Sequence, residues 1–167
     1  MYEVDQDDKV VKVVELEDCF RTGLLHRAVT VFLRNQSGEI FLQQRSASDD
    51  WMPSLWTASC TGHVRAEETG SEAARREVSE ELGILVDPEF LYKLVLPRIE
   101  CAGKIEWEIA LVFEAWSDQP LRLDPNEVEG GKFLSISECK KFFEECSREI
   151  TPDAILTFCK YSSLKQL

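Results

Sequence analysis

Residues 71–82 carry the strongest constraint in the chain. Ala74, Val78 and Leu82 fall at helical spacing, and Gly83 follows where a left-handed C-terminal residue belongs, so an amphipathic helix must end there. Its apolar stripe needs a surface to cover. Strand-like runs supply one. Residues 29–33 and 40–42 flank the turn residues Asn35, Gln36, Ser37 and Gly38, predicting a hairpin. A further strand is expected over 56–61, ending at Gly62, and another over 90–96. Ile105, Trp107, Ile109, Leu111 and Phe113 alternate along one continuous strand, and residues 132–134 form a last short one. A polar loop between residues 2–4 and 10–14 predicts an N-terminal hairpin over about 1–14. Helical patterns over 136–146 and 152–164 begin at the N-caps Ser135 and Thr151.

No repeat, linker or low-complexity tract interrupts this order. A chain of 167 residues has the length of one domain, here expected to span residues 1–167 as an α+β fold with helices packed on a central mixed sheet.

The predicted helix is acidic in an unfavourable way. Glu77, Glu80 and Glu81 share one surface at spacings of three and four, where like charges repel. Glu80 and Glu81 also lie in the last turn, against the negative end of the helix dipole, at a cost of about 0.3–1 kcal/mol each. A bound cation removes both penalties. Clustered carboxylate oxygens suit Mg²⁺ or Mn²⁺, which complete their shells with water and phosphate. The net charge of −12 gives the same ion a second task. An acidic protein approaches an anionic substrate through a cation, whereas nucleic acid and anionic membranes are disfavoured partners.

The segment GHVRAEETGSEAARREVSEELGI, residues 62–84, resembles the Nudix box. Gly62, Glu68, Arg76, Glu77, Val78, Glu80, Glu81, Gly83 and Ile84 meet every position of that pattern. The resemblance implies an α/β/α sandwich in which Glu77, Glu80, Glu81 and the Gly62 carbonyl ligate Mg²⁺ or Mn²⁺. Glu68 and Arg76 then hold the loop and the helix carboxylates in place. The implied chemistry is attack of water on a small-molecule diphosphate, with Glu81 as general base and Glu127, in the loop before the last strand, as a second carboxylate for that role.

A second constellation resembles the type I isopentenyl-diphosphate isomerases, a branch of the same superfamily. It comprises His26, the run WTASCTGH over 56–63, and the segment IEWE over 105–108. That resemblance implies a second metal-binding group of His26, His63, Glu106 and Glu108. It also implies a cysteine immediately before Gly-His for proton transfer, and here the sequence departs. Thr61 holds that place and Cys60 precedes it, and one residue of shift in a strand turns a side chain to the opposite face. Cys19 stands where a third histidine is expected. Asp49 and Asp50 replace basic residues in the loop before Pro53.

The expected function is therefore a divalent-metal-dependent hydrolase of a nucleoside diphosphate derivative or related organic diphosphate, with Arg45 as a phosphate contact. The alternatives are isopentenyl-diphosphate isomerisation and ligand binding without turnover. The last should have lost box carboxylates, and none is lost. Trp51, Trp56, Trp107 and Trp116 could stack on a base, line an isoprenoid channel or belong to the core. No exposed apolar stripe separates a monomer from a homodimer. Six scattered cysteines, no run of about 18 apolar residues and an acidic N-terminus predict a cytoplasmic protein with reduced thiols, mostly in the core.

Overall fold

The computed structural model describes residues 1–165. Among them, nine strands form one mixed sheet organised around β3 (His26–Arg34), and two more form a separate ribbon. Along one edge of β3 runs β10 (Glu108–Trp116), parallel to it, with His26 opposite Glu108 and Arg34 opposite Trp116. Outside β10 lies antiparallel β7 (Glu89–Val95). The other edge of β3 meets three partners in turn: β1 (Tyr2–Val4) at His26, β6 (Cys60–His63) from Ala28 to Val31, and β4 (Ile40–Arg45) at Arg34. β1 pairs with β2 (Val10–Val13), and β4 pairs with both β5 (Trp56–Thr57) and β11 (Val128–Leu134).

The hairpin expected over 29–42 is therefore real only at its turn. β3 and β4 pair at Arg34 and Ile40 and then part, and residues 56–63 run between them. Ser59 sits at the fork. Its hydroxyl accepts from the Leu33 N–H at 2.7 Å and donates to the Phe41 carbonyl, bonding to both separated strands.

Buried on both faces from Ala28 to Leu33, β3 is apolar there except for Thr30. Val29, Val31 and Leu33 pack with Phe113 and Ala115 under α2 (Gly70–Leu82), whose Ala73, Ala74, Val78 and Leu82 complete that cluster. On the opposite face Phe32, Ala110 and Val112 meet α3 (Ile136–Glu145) and α4 (Pro152–Leu164) through Phe143, Phe158 and Tyr161. The result is the α/β/α sandwich. Each such buried aliphatic or aromatic side chain contributes about 1.5–3 kcal/mol.

Three local readings need correction. The strand expected over 105–113 breaks at Trp107 into β9 (Lys104–Glu106), which pairs with β8 (Ile99–Cys101), and β10. The Trp107 carbonyl instead accepts from the His26 N–H. A helix that sequence patterning missed, α1 (Leu16–Thr22), precedes β3 and ends at Gly23 with φ of 67°. Thr151 occupies the N-cap position of α4, but its hydroxyl makes no cap and bonds Thr57 at 3.1 Å. Of the six cysteines, all free, only Cys19, Cys60 and Cys139 are buried. No helix among the described residues is long and apolar enough to cross a membrane.

Candidate functional site

A capping box starts α2: the Thr69 hydroxyl accepts from the Glu72 N–H, and the Glu72 carboxylate accepts from the Thr69 N–H at 2.8 Å. At the other end no basic side chain offsets the dipole. The loop after β10 does so with backbone, as the N–H groups of Arg122 and Asp124 donate to the carbonyls of Leu82 and Glu81 at 2.9 and 3.0 Å. That attachment brings Glu127 towards Glu81, where its charge is felt.

Between these ends the helix presents its carboxylates to a cavity of about 740 Å³. Glu81 is nearly closed to solvent and accepts a 2.7 Å hydrogen bond from the buried amide of Gln43. Burial pushes its carboxyl up to about 8, against the Gln43 bond, with Glu77 and Glu127 pushing the same way as burial. Glu77 is lifted to about 6 by burial, opposed by Arg76. Glu80 is the exposed member of the three and takes ion pairs from Arg76 at 3.1 Å and Arg65 at 3.6 Å.

Arg76 joins helix to loop. Its guanidinium grips both oxygens of Glu68 at 2.8 and 2.9 Å, reaches Glu77 at 2.6 Å, and donates to the His63 carbonyl at 3.0 Å. Gly62 leaves room for this arrangement, because a Cβ there would lie 2.2 Å from the Glu77 carboxyl carbon.

Three members of the second constellation, His63, Glu106 and Glu108, line the same cavity, and His26 is buried behind them. His26 Nδ1 lies 2.8 Å from the Leu24 carbonyl, which can only accept, so Nδ1 carries a proton and Nε2 is the nitrogen whose lone pair a cation would take in exchange for its proton. That nitrogen is fully buried and makes no hydrogen bond, although Glu106 lies 3.3 Å and Glu108 3.9 Å away. His63 Nε2 stands 3.2 Å from Glu106 and 3.5 Å from Glu108. One donor atom from each of the four residues falls within 4.8 Å of the others. Burial opposes a charge on His26, but the Cys19 thiol, Glu106 and Glu108 carry its pKa up to about 10. Glu106 is held down to about 2 by the two imidazoles despite burial, while burial and Glu106 push Glu108 up. One buried and one half-buried carboxylate beside an orphaned imidazole nitrogen are a donor set that fits a divalent cation. Glu106 and Glu108 do point the same way, as strand alternation predicts, but they face the cavity rather than solvent.

β6 sorts its residues between two surroundings. Cys60 packs in the cluster beneath α2 beside Glu81, and its thiol is pushed well above the usual range by burial and by the carboxylates of Glu81 and Glu77. Thr61 and His63 line the cavity. Cys19 is buried and neighbours His26 without joining the four-residue group. Arg45 also lines the cavity, its guanidinium bonded to Asp49 at 2.5 Å and to the Trp51 carbonyl at 3.0 Å. Sequence reasoning missed Gln43 and Asp153, a further acid on the cavity wall, lifted by desolvation.

Relatives extend these observations. The NUDIX domain model matches residues 24–154. An isopentenyl-diphosphate Delta-isomerase 1 of Photorhabdus laumondii is 33% identical over 152 residues, covering 89% of this chain and 86% of its own. An isopentenyl-diphosphate Delta-isomerase of Pectobacterium atrosepticum is 31% identical over 161 residues, covering 94% and 88%. Those names agree with the alternative expectation, isomerisation, and not with hydrolysis. Among solved structures, DR0079 from Deinococcus radiodurans superposes with a TM-score of 0.78 at 25% identity, covering 95% of this chain and 96% of that one. The MutT protein of Methanosarcina mazei Go1 shares the fold, with a TM-score of 0.67, 24% identity and coverage of 85% and 95%. With the glycine, the paired Arg76–Glu68 clamp and the helix carboxylates assembled around one cavity, and a domain match running from the start of β3 into α4, this chain belongs to the NUDIX domain family.

Proposed function

We propose that the protein is a divalent-metal-dependent hydrolase that cleaves the phosphoanhydride bond of an organic diphosphate. The observation that carries this reading is the facing of β6: Thr61 lines the cavity, while the Cys60 thiol is buried beside α2. Moving a double bond requires a proton to be placed on one carbon and taken from another, by groups that titrate. A threonine hydroxyl is a poor candidate for that task. Hydrolysis requires only that a water be oriented and lose a proton, and Glu81 is placed for this.

A Mg²⁺ or Mn²⁺ ion held by Glu77, Glu80, Glu81 and the Gly62 carbonyl would neutralise phosphoryl oxygens and make water a better nucleophile. Glu81, fixed by Gln43, takes the proton as the water oxygen bonds to phosphorus and the bridging P–O bond breaks. Glu127 is a second carboxylate within its field. Arg76 and Glu68 keep the loop and helix aligned, and Arg45 is the guanidinium on the cavity wall for the departing phosphate.

A second reading is favoured by His26, His63, Glu106 and Glu108 and by the names of the curated relatives: isomerisation of isopentenyl diphosphate. Phosphorus NMR in D₂O, with Mg²⁺ or Mn²⁺ and a panel of nucleoside diphosphates, nucleotide sugars and isopentenyl diphosphate, separates the two. New monophosphate signals support hydrolysis. Unchanged phosphorus spectra with deuterium entering the isoprenoid establish isomerisation and overturn the hydrolase reading.

A further inference from the structure

Beside its carboxylates and the His63 imidazole, the cavity is walled by two aromatic side chains to which the proposed reaction gives no task. Phe20 comes from α1 and Trp51 from the loop between β4 and β5. Their rings stack with centroids 6.1 Å apart and planes 22° from parallel, and Phe20 also meets the edge of the His63 ring at 5.7 Å. Neither ring belongs to the apolar clusters of the core, and both are half-buried. Packing of the fold therefore leaves this pair unexplained.

Its surroundings discriminate between ligands. Lys104 of β9 stands 4.9 Å from the centre of the Phe20 ring and pairs with Asp50 at 2.5 Å. Glu15, Asp49 and Asp50 line the cavity with the two rings. A hydrocarbon chain laid on this surface would strip water from charged groups and return no hydrogen bond. A planar heterocycle matches it better, since its face stacks on aromatic carbon while its edge carries donors for the carboxylates.

We propose that the Phe20–Trp51 pair is the platform for the organic half of the substrate, and that this half carries a nucleobase rather than an isoprenoid chain. The proposal rests on the reading of the cavity as a diphosphate site. It starts beside His63, so a diphosphate held at the carboxylates extends its substituent onto the rings.

The test is a binding measurement that needs no turnover. Calorimetric titrations with Mg²⁺ use the α,β-methylene analogues of adenosine and uridine diphosphate, with isopentenyl diphosphate as the aliphatic comparison, on the wild type, Trp51→Leu and Trp51→Phe. Loss of one base–aromatic stack costs about 1–3 kcal/mol, or roughly 5- to 150-fold in affinity. Trp51→Leu should weaken the nucleoside analogues at least about tenfold and leave isopentenyl diphosphate within about twofold, because leucine keeps the apolar surface; Trp51→Phe should restore most of the loss. The Trp51 contacts that order the loop, its N–H to Asp49 and its carbonyl from Arg45, are made by backbone and survive both substitutions.

Equal losses for both ligand classes, unchanged nucleoside binding in Trp51→Leu, or tighter wild-type binding of isopentenyl diphosphate would each overturn the platform. If the analogues bind in a Trp51-dependent way but no diphosphate is hydrolysed, the hydrolase reading fails while the platform stands. If nucleoside diphosphates are hydrolysed with the same KM in Trp51→Leu, the platform fails while the hydrolase stands.

Discussion

The side-chain amide of Gln43 donates to Glu81 at 2.7 Å, and the two residues are only 2% and 5% exposed. This bond fixes the carboxylate to which the proton-accepting role is given. Gln43→Leu keeps the volume and removes the donor, and its kcat should fall about 10- to 100-fold, the usual effect of losing such a partner. Stability should fall by about 1–3 kcal/mol, because the buried Glu81 carboxyl loses its donor, a loss eased by removal of the other amide atom, Oε1, which is buried without a partner. A phosphate-release assay with thermal unfolding of the same samples checks both, and a variant with full activity would remove Gln43 from the mechanism.

Gly62→Ala addresses the opposite wall of the helix. Its Cβ would press within 2.2 Å of the Glu77 carboxyl carbon, so the carboxylate or the strand must shift. A displacement of about 1 Å at such a group can cost about 100-fold in rate. The expected result is that loss with an unchanged circular dichroism spectrum, and retention of more than half the activity would show that Glu77 has room to move.

Removal of divalent metal should make stability depend on pH in a defined direction. Glu81 and Glu77, lifted from 4.5 to about 8 and about 6, keep protons that unfolded carboxyls release. The stability this gives is complete below pH 4.5 and is lost as pH rises through those folded values. His26, raised from 6.5 to about 10, acts in the same sense over a higher window. Glu106, lowered from 4.5 to about 2, acts oppositely but only below pH 4.5. In chelator the melting temperature should therefore fall between pH 5 and 8, less steeply in Glu81→Gln and less steeply with Mg²⁺ or Mn²⁺ in excess. A melting temperature that rises across that interval in chelator would contradict the burial of these acids.

Far from the cavity, Glu114 ties α4 to the sheet. Buried on β10, it accepts from the Tyr161 hydroxyl and pairs with Lys165 at 2.7 Å and Arg34 at 3.5 Å. Glu114→Ala leaves Arg34 and the phenol without their acceptor, a loss of about 3–5 kcal/mol for a buried charge pair broken from one side. Urea denaturation should show that loss, while turnover per folded molecule stays the same; a change under 1 kcal/mol would mean that water replaces the carboxylate.

Local signals made the box helix and its site legible. The 71–82 periodicity, Gly83 and the three glutamates are encoded within a few turns, and the structure finds them as expected. Glu106 and Glu108 were legible as a pair because strand alternation survives the break at Trp107. The fork between β3 and β4 was not, since a turn sequence reports what happens at the turn and nothing of the strand that enters between its arms. α1 escaped notice because seven residues give too little periodicity, and Glu15 supplies no side-chain cap. Gly23, in the left-handed conformation, was its one available mark. Gln43 stayed hidden because its partner is 38 residues away.

The parallel pairing of β3 with β10 has a consequence for how the molecule assembles. His26 and Glu108 face each other across a chain separation that must be closed before any of this register exists, and such long loops order late. A cation held by these residues would bind only after that closure, so its effect would belong to the return journey: it would slow unfolding and leave the rate of folding where the apolar strands set it.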